Sequence, residues 1–273
     1  MRLSGLRESP GRTDQGAERG NDQHDRDRDD DGNVITARQL LQHTSGLIRF
    51  SGDAKPGPVG TYALADLVHA AMDEPPVAAP GEQSIYSNTG YQVLGILIEK
   101  ITGQYAGDAI TERIIEPLGL EDTSFPAPGE RALAEPFVHG YTGGRIPPFF
   151  LWVDNTTVLE RSLYSTAGAM ESTLEDSVTF FRALLDGEVM SDAALAEMRR
   201  TVPVALGGTG LGIDEVPLPC GGTYWAKNGG LETGHVSTTG VTDDDRFASV
   251  VTNTVGTEVA RQSFDVHDSA LCE

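Results

Sequence analysis

The chain has 273 residues, with 41 acidic and 20 basic side chains and a formal net charge of −21. This length accommodates one large domain or two small ones. The longest apolar runs fall short of the roughly 20 residues that a membrane-spanning helix needs, which excludes an integral membrane protein. The acidic excess repels phosphate backbones, so nucleic acid is excluded as a partner.

The first 33 residues differ from the rest of the chain. They are charged and poor in apolar side chains, and they end in the run Asp-Arg-Asp-Arg-Asp-Asp-Asp at residues 25–31. Such a segment buries too little apolar area to offset its ordering entropy, so residues 1–33 are predicted to be disordered and unrelated to the domain that follows. They contain no apolar stretch typical of a signal peptide.

The remaining 240 residues are predicted to be mainly helical over 34–205, with strands and a closing helix over 206–273. Thr36 is a candidate N-cap, Gly103 a candidate C′ residue, and Ser172 opens a predicted capping box. Residues 124–160 are predicted to form a long surface excursion. Helices are predicted over 37–43, 61–72, 91–102, 108–116, 172–185, 191–201 and 255–271, and strands over 223–227, 237–242 and 248–252.

Three short motifs contain side chains that suit catalysis. The first is His43-Thr-Ser-Gly46, where His43 is either a base or, as the pattern favours, a partner for the last carbonyls of its own helix. The second is Tyr86-Ser-Asn88, which precedes the most apolar helix. It either presents a hydroxyl and an amide on one rim or forms a capping turn in which Asn88 bonds the helix N-terminus.

The third motif is Lys227-Asn228-Gly229-Gly230, at the end of a predicted strand. Glycines allow close approach of a ligand to the backbone, and a strand edge suits an extended, peptide-like substrate. The alternative is a solvent-facing lysine followed by a turn. Lysine is scarce, since Lys55 and Lys100 are the only others.

These motifs occur in an order that resembles the serine β-lactamase-like family of class C β-lactamases, D-alanyl-D-alanine carboxypeptidases and related esterases. The resemblance covers residues 34–273 and is strongest to secreted actinobacterial D-alanyl-D-alanine carboxypeptidases. It implies an α+β fold, with an antiparallel sheet flanked by helices and an all-helical region. The segments that carry it are ITARQLLQHTSGL, PGEQSIYSNTGYQVLGILIEKITGQ, STAGAMESTLEDSVTFFRALLDGEVMS and KNGG.

The resemblance also implies roles for individual residues. Tyr86 would be the general base and acid, and Lys227 would supply positive potential beside Tyr86 and the substrate carboxylate. The amide of Gly230 would be one oxyanion-hole donor. No metal and no cofactor are implied. The substrate-binding residues that it implies are Asn88, Asn228, Gly229 and Gly230.

Two departures from the family pattern concern specificity, and one concerns catalysis. Asn228 stands where Thr or Ser is usual, and Asp214 where an arginine for a terminal carboxylate is expected. The nucleophile motif Ser-x-x-Lys does not occur, because Gly52, Leu97 and Tyr224 lie three residues before the lysines. We therefore expect an N-terminally truncated chain that lacks the first strands and the nucleophile helix and is inactive as written.

The predicted function is that of a D-alanyl-D-alanine carboxypeptidase-like serine hydrolase acting on peptidoglycan peptides or β-lactams. The alternatives are a non-catalytic remnant that binds cell-wall peptides, or esterase or β-lactamase specificity in a longer form. A monomer located outside the cell or in the cell wall is expected. By themselves Cys220 and Cys272 are predicted to be either free thiols or one disulfide; the resemblance implies the disulfide.

Overall fold

A computed structural model describes residues 34–273, and the disorder predicted for residues 1–33 lies outside the described residues. The helices are α1 Ala37–Leu41, α2 Leu64–Met72, α3 Asn88–Thr102, α4 Ala106–Ile110, α5 Glu116–Leu118, α6 Leu174–Leu185, α7 Asp192–Met198 and α8 Thr257–Cys272. The strands are β1 Tyr141–Ile146, β2 Phe149–Asp154, β3 Val202–Val204, β4 Gly207–Thr209, β5 Asp214–Pro217, β6 Thr223–Gly230, β7 Val236–Thr242 and β8 Phe247–Thr252.

The helical part is organised around α3. Thr36 and Gln39 form a capping box that opens α1, as the sequence predicts for Thr36. Leu40 of α1, Val68 of α2 and Val93 of α3 share one apolar cluster, so these three helices pack together. Gly103 adopts a left-handed conformation and ends α3, again as predicted.

Six strands, β3 to β8, form one antiparallel sheet in which each strand neighbours the next along the chain. Side chains of successive residues in a strand point to opposite faces. Trp225 packs with Phe181 and Leu184 of α6 on one face. Tyr224 and Ala226 pack with Leu271 of α8 on the other. The sheet is therefore flanked by helices on both faces, which confirms the predicted α+β class.

Several local features differ from the predictions. Most residues of the predicted surface excursion 124–160 are exposed, but this segment also contains the hairpin of β1 and β2, which was not predicted. The N-cap of α6 is Thr173, whose side chain accepts a hydrogen bond from the Asp176 N–H, so the cap lies one residue after the predicted Ser172. Helix α8 begins at Thr257, after the predicted start at residue 255. The short strands β3, β4 and β5 were missed, because runs of three or four residues show no usable period.

A disulfide joins Cys220, in the turn between β5 and β6, to Cys272 at the end of α8. It fixes the C-terminal end of α8 to the sheet beside the fully buried Leu271. Within residues 34–273, no helix combines the length and apolarity that crossing a bilayer requires.

Candidate active site

Backbone hydrogen bonds hold the segment that carries Tyr86 against the His43-Thr-Ser-Gly46 turn. The Val77 N–H donates to the Gly46 carbonyl, and the Ile85 N–H donates to the His43 carbonyl, at 2.9 and 2.8 Å. Gly46 has a φ of +77°, and a Cβ added there would lie 2.0 Å from the carbonyl oxygen of Ala78. The first two motifs therefore form one structural unit, which ends at Tyr86.

The ring of His43 packs against the ring of Tyr86. Its ring centroid lies 4.6 Å from that of Tyr86 and 5.1 Å from that of Tyr91. The Ser87 N–H donates to His43 Nδ1 at 3.1 Å, so the proton of the neutral ring is on Nε2. The preferred sequence interpretation, in which the His43 ring bonds the carbonyls of its own helix, is wrong. The His43 ring instead packs against Tyr86 and accepts a hydrogen bond from the Ser87 N–H, so it stabilises the Tyr-Ser-Asn turn.

The pKa of His43 is lowered from 6.5 to about 4, chiefly by burial and further by the positive charge of Lys227. Between these values the unfolded chain binds a proton that the folded chain does not, so the free energy of unfolding decreases as pH falls from 6.5 towards 4. The expected loss is about 3 kcal/mol. Asn retains an acceptor, tolerates the positive φ at this position and does not titrate, so His43→Asn is expected to flatten this pH dependence.

Urea denaturation over this pH range measures the effect. The matched control is His69→Asn, which changes an exposed histidine of α2 and is expected to follow the wild-type slope. If the free energy of unfolding varied with pH equally in His43→Asn and in the wild type, the burial of His43 would not be the cause of the pH dependence.

Tyr86 is half exposed, with 49% of its surface accessible. The Arg49 guanidinium lies 5.6 Å from the centroid of its ring. Partial burial raises the pKa of Tyr86; the Arg49 charge opposes this, and the Asp214 charge adds to it. The hydroxyl is therefore protonated at neutral pH. To accept a proton it needs a further cation beside it.

Asn88 is the first residue of α3, but it does not cap the helix. Ser87 is the N-cap, and its hydroxyl accepts from the Gly90 N–H at 3.0 Å and donates to the Ile48 carbonyl at 2.8 Å. The capping alternative considered for Asn88 is thus wrong. Asn88 is 7% exposed, and its side-chain amide makes no hydrogen bond to any residue in 34–273, which leaves it available to a ligand.

Lys227 lies within β6 rather than in a turn. Its ammonium donates to the Asp214 carboxylate at 3.0 Å, and both side chains are partly buried. Asp214 is the first residue of β5, opposite Ala226. A Cβ added at Gly212, two residues before Asp214, would lie 3.3 Å from the hydroxyl of Tyr91, whose ring packs on His43, so this ion pair lies near the Tyr86 unit. Asp214 offsets the positive potential that the resemblance assigns to Lys227.

Beyond Ala226, β6 has a partner on one side only. Residues Lys227 to Gly230 pair with β7, whereas the pairing with β5 ends at Ala226. Asn228, Gly229 and Gly230 are exposed. Across residues 34–273 no other strand covers this side, so it is an open edge next to the ion pair. An extended backbone can hydrogen-bond to such an edge.

Three residues of this region were not found from the sequence. Arg49 follows the first motif without belonging to it. Tyr164 stacks on Phe50 with centroids 5.8 Å apart, and its hydroxyl donates to the carboxylate of Glu232. Glu232 follows Gly230 by two residues, and that adjacency was the available signal. The structure describes no cluster of three or more His, Cys, Asp or Glu in residues 34–273 that is arranged for a metal ion.

The fold is that of β-lactamases and penicillin-binding proteins. The family model named Beta-lactamase matches residues 23–270, and the chain belongs to this family. Penicillin-binding protein 4 of Amycolatopsis lactamdurans is 32% identical over 178 residues, which cover 62% of this chain and 45% of that protein. The unguisins hydrolase ungD' of Aspergillus campestris is 30% identical over 57% of this chain and 29% of its own length.

Among solved structures, the D-stereospecific amidohydrolase from Streptomyces sp. is 34% identical, with a TM-score of 0.77 over 87% of this chain and 73% of that one. The D-amino acid amidase from Ochrobactrum anthropi SV3, complexed with D-phenylalanine, has a TM-score of 0.76 over 88% of this chain and 73% of that one; at 24% identity it shows the fold alone. The chain spans less than half the length of both curated relatives.

Proposed function

We propose that this chain supplies the substrate groove and the proton-transfer tyrosine of a serine hydrolase that cleaves amide bonds of D-amino-acid substrates. The observation that carries the proposal is the open edge of β6 beside the Tyr86 unit, with the unbonded Asn88 amide available to a ligand. The similarity to a D-stereospecific amidohydrolase supports the configuration of the substrate. The backbone amides of the open edge of β6 would hydrogen-bond to the substrate backbone and align it.

Chemistry at this site requires a nucleophile that the 273 residues do not contain as Ser-x-x-Lys. In a longer form with that motif, the serine oxygen would bond to the substrate carbonyl carbon and the carbon–nitrogen bond would break. Tyr86 would pass the serine proton to the leaving amine, and water would then release the acid. Because Tyr86 is protonated on its own, the motif lysine would complete its role as a base. The 273-residue chain is therefore expected to bind such substrates without acylation.

Carboxypeptidase action on a D-Ala-D-Ala end is the second candidate. The similarity to a penicillin-binding protein favours it, as does a cation at Lys227. The Asp214 carboxylate 3.0 Å away weighs against it, since it balances the charge that a terminal carboxylate would need. The Cys220–Cys272 disulfide supports the further proposal that the protein works outside the cytoplasm, because such bonds persist in oxidising compartments.

Two measurements on the 273-residue chain test the proposal. A fluorescent penicillin is expected to leave no covalent label after denaturing electrophoresis. Calorimetric titration with D-phenylalanine amide is expected to show saturable binding that L-phenylalanine amide lacks. The same titration with acetyl-D-Ala-D-Ala tests the second candidate, which tighter binding of that peptide would favour. A stable label would contradict the proposal that this chain binds substrates without acylation. The absence of stereoselective binding would contradict the proposal that it contains a substrate groove.

The Asn88→Ala variant tests the site directly. Loss of one amide hydrogen bond is expected to weaken D-ligand binding about fivefold. Asn253→Ala removes an exposed amide at the end of β8 and serves as the matched control, with unchanged affinity expected. Equal affinities of the two variants for the D-ligand would show that the Asn88 amide does not contact it.

A further inference from the structure

A cavity of about 440 Å³ is lined in part by Glu232, two residues beyond Gly230 at the end of the open edge of β6. Its walls include the apolar side chains of Tyr62, Val158, Leu159 and Leu163. Engineered cavities of about 150 Å³ already accept a benzene ring, so this space accommodates a large apolar side chain. No residue of the three sequence motifs lines it.

Among the charged residues that line the cavity, one carboxylate has no ion-pair partner in the part of the chain that the structure describes. Arg131 and Glu160 both line the wall, but they pair with each other at 3.1 Å. Glu232 also lines the cavity, and its hydrogen-bond partner within residues 34–273 is the neutral Tyr164 hydroxyl. The cavity thus combines an apolar interior with one net negative charge on its rim.

The direction of the sheet relates this cavity to the substrate. All neighbouring strands from β3 to β8 are antiparallel. An extended substrate that continues this pattern on the open edge of β6 has its carboxyl end at Lys227 and its amino end at Gly230. Glu232 follows Gly230 by two residues. The amino end of the substrate would therefore meet the carboxylate at the cavity, and its carboxyl end would meet the neutralised Lys227–Asp214 pair.

We infer that Glu232 is a specificity-determining residue that binds the free α-ammonium group of the first substrate residue, while the apolar side chain of that residue fills the cavity. An ammonium offers three hydrogen-bond donors to the carboxylate. The inference rests on the proposed function and narrows it to D-amino-acid amides and peptides with an unblocked amino end. Substrates anchored through a terminal carboxylate are disfavoured by the same charges.

Calorimetric titration of the 273-residue chain with D-phenylalanine amide and with N-acetyl-D-phenylalanine amide tests this inference. The two probes differ in the charge of the amino end and in the added acetyl group. We expect the free amine to bind about fivefold more tightly, a modest ratio because Glu232 is solvent-exposed. This comparison needs no substitution and does not depend on the folding of a variant.

In Glu232→Gln, the ratio of the two affinities is expected to fall to about one through loss of amine binding alone. Glu121→Gln, which neutralises an exposed carboxylate outside the cavity, is the matched control and is expected to retain the wild-type ratio. Equal binding of both probes to the wild type would overturn the inference, as would an equal loss of both probes in Glu232→Gln. Binding of neither probe to the wild type would overturn the proposed function as well.

Discussion

The double variant Cys220→Ser, Cys272→Ser is expected to lose about 4 kcal/mol of the free energy of unfolding, the largest effect of any change considered for this chain. The disulfide closes a loop of 52 residues. In the chain-entropy model, a loop of that length constrains the unfolded state by about this amount. Urea denaturation under non-reducing conditions measures the loss.

Reduction provides the control for the disulfide prediction. Dithiothreitol is expected to lower the stability of the wild type to that of the double variant and to leave the double variant unchanged. A variant within about 1 kcal/mol of the wild type would show that the bond constrains the unfolded chain little.

Gly46→Ala is expected to cost about 3 kcal/mol of stability and to abolish D-ligand binding. A left-handed φ costs an alanine about 1–2 kcal/mol. The added methyl would also overlap the Ala78 carbonyl, because the two atoms would lie 2.0 Å apart. The segment that leads to Tyr86 must then move away, which breaks its hydrogen bonds to the first motif. Urea denaturation and calorimetric titration measure the two effects.

Gly103→Ala separates the two causes. Gly103 has a φ of +72°, but a Cβ added there meets no atom within 4 Å. This control is expected to cost about 1–2 kcal/mol and to leave ligand binding intact. If Gly46→Ala and Gly103→Ala cost the same and both bind ligand, the contact with Ala78 does not position Tyr86.

The longer helices and the central strands could be predicted because their signals are local. Thr36 and Ser191 each cap a helix at the position that the sequence indicates. In the sheet, β6, β7 and β8 extend the predicted strands by at most three residues at either end. The hairpin of β1 and β2 was missed because β2, Phe-Phe-Leu-Trp-Val-Asp, is exposed at every position and so lacks the alternation that marks a half-buried strand.

The candidate site could be predicted only in part. Tyr86, Asn88 and Lys227 were selected through the family resemblance, and the structure groups the first two with His43 and places the Lys227 ion pair beside them. The charges that surround them could not be read from the sequence. The Lys227–Asp214 pair depends on the register of two strands, and the Tyr164–Glu232 contact joins residues 68 positions apart.

By itself the sequence indicated the class of protein through its family resemblance, and it contained the order of the motifs and the absence of Ser-x-x-Lys; whether Lys227 lies on a strand edge or before a turn stayed open. These features depend on residue type and local spacing, which a sequence contains directly. Only the tertiary structure decided the electrostatic character of the site. Lys227 is neutralised by Asp214 at one end of the open edge, and Glu232, just beyond the other end, is paired with no described cation. Charge balance depends on which side chains are in contact. In this chain those contacts are set by strand register and by the packing of loops that are distant in sequence.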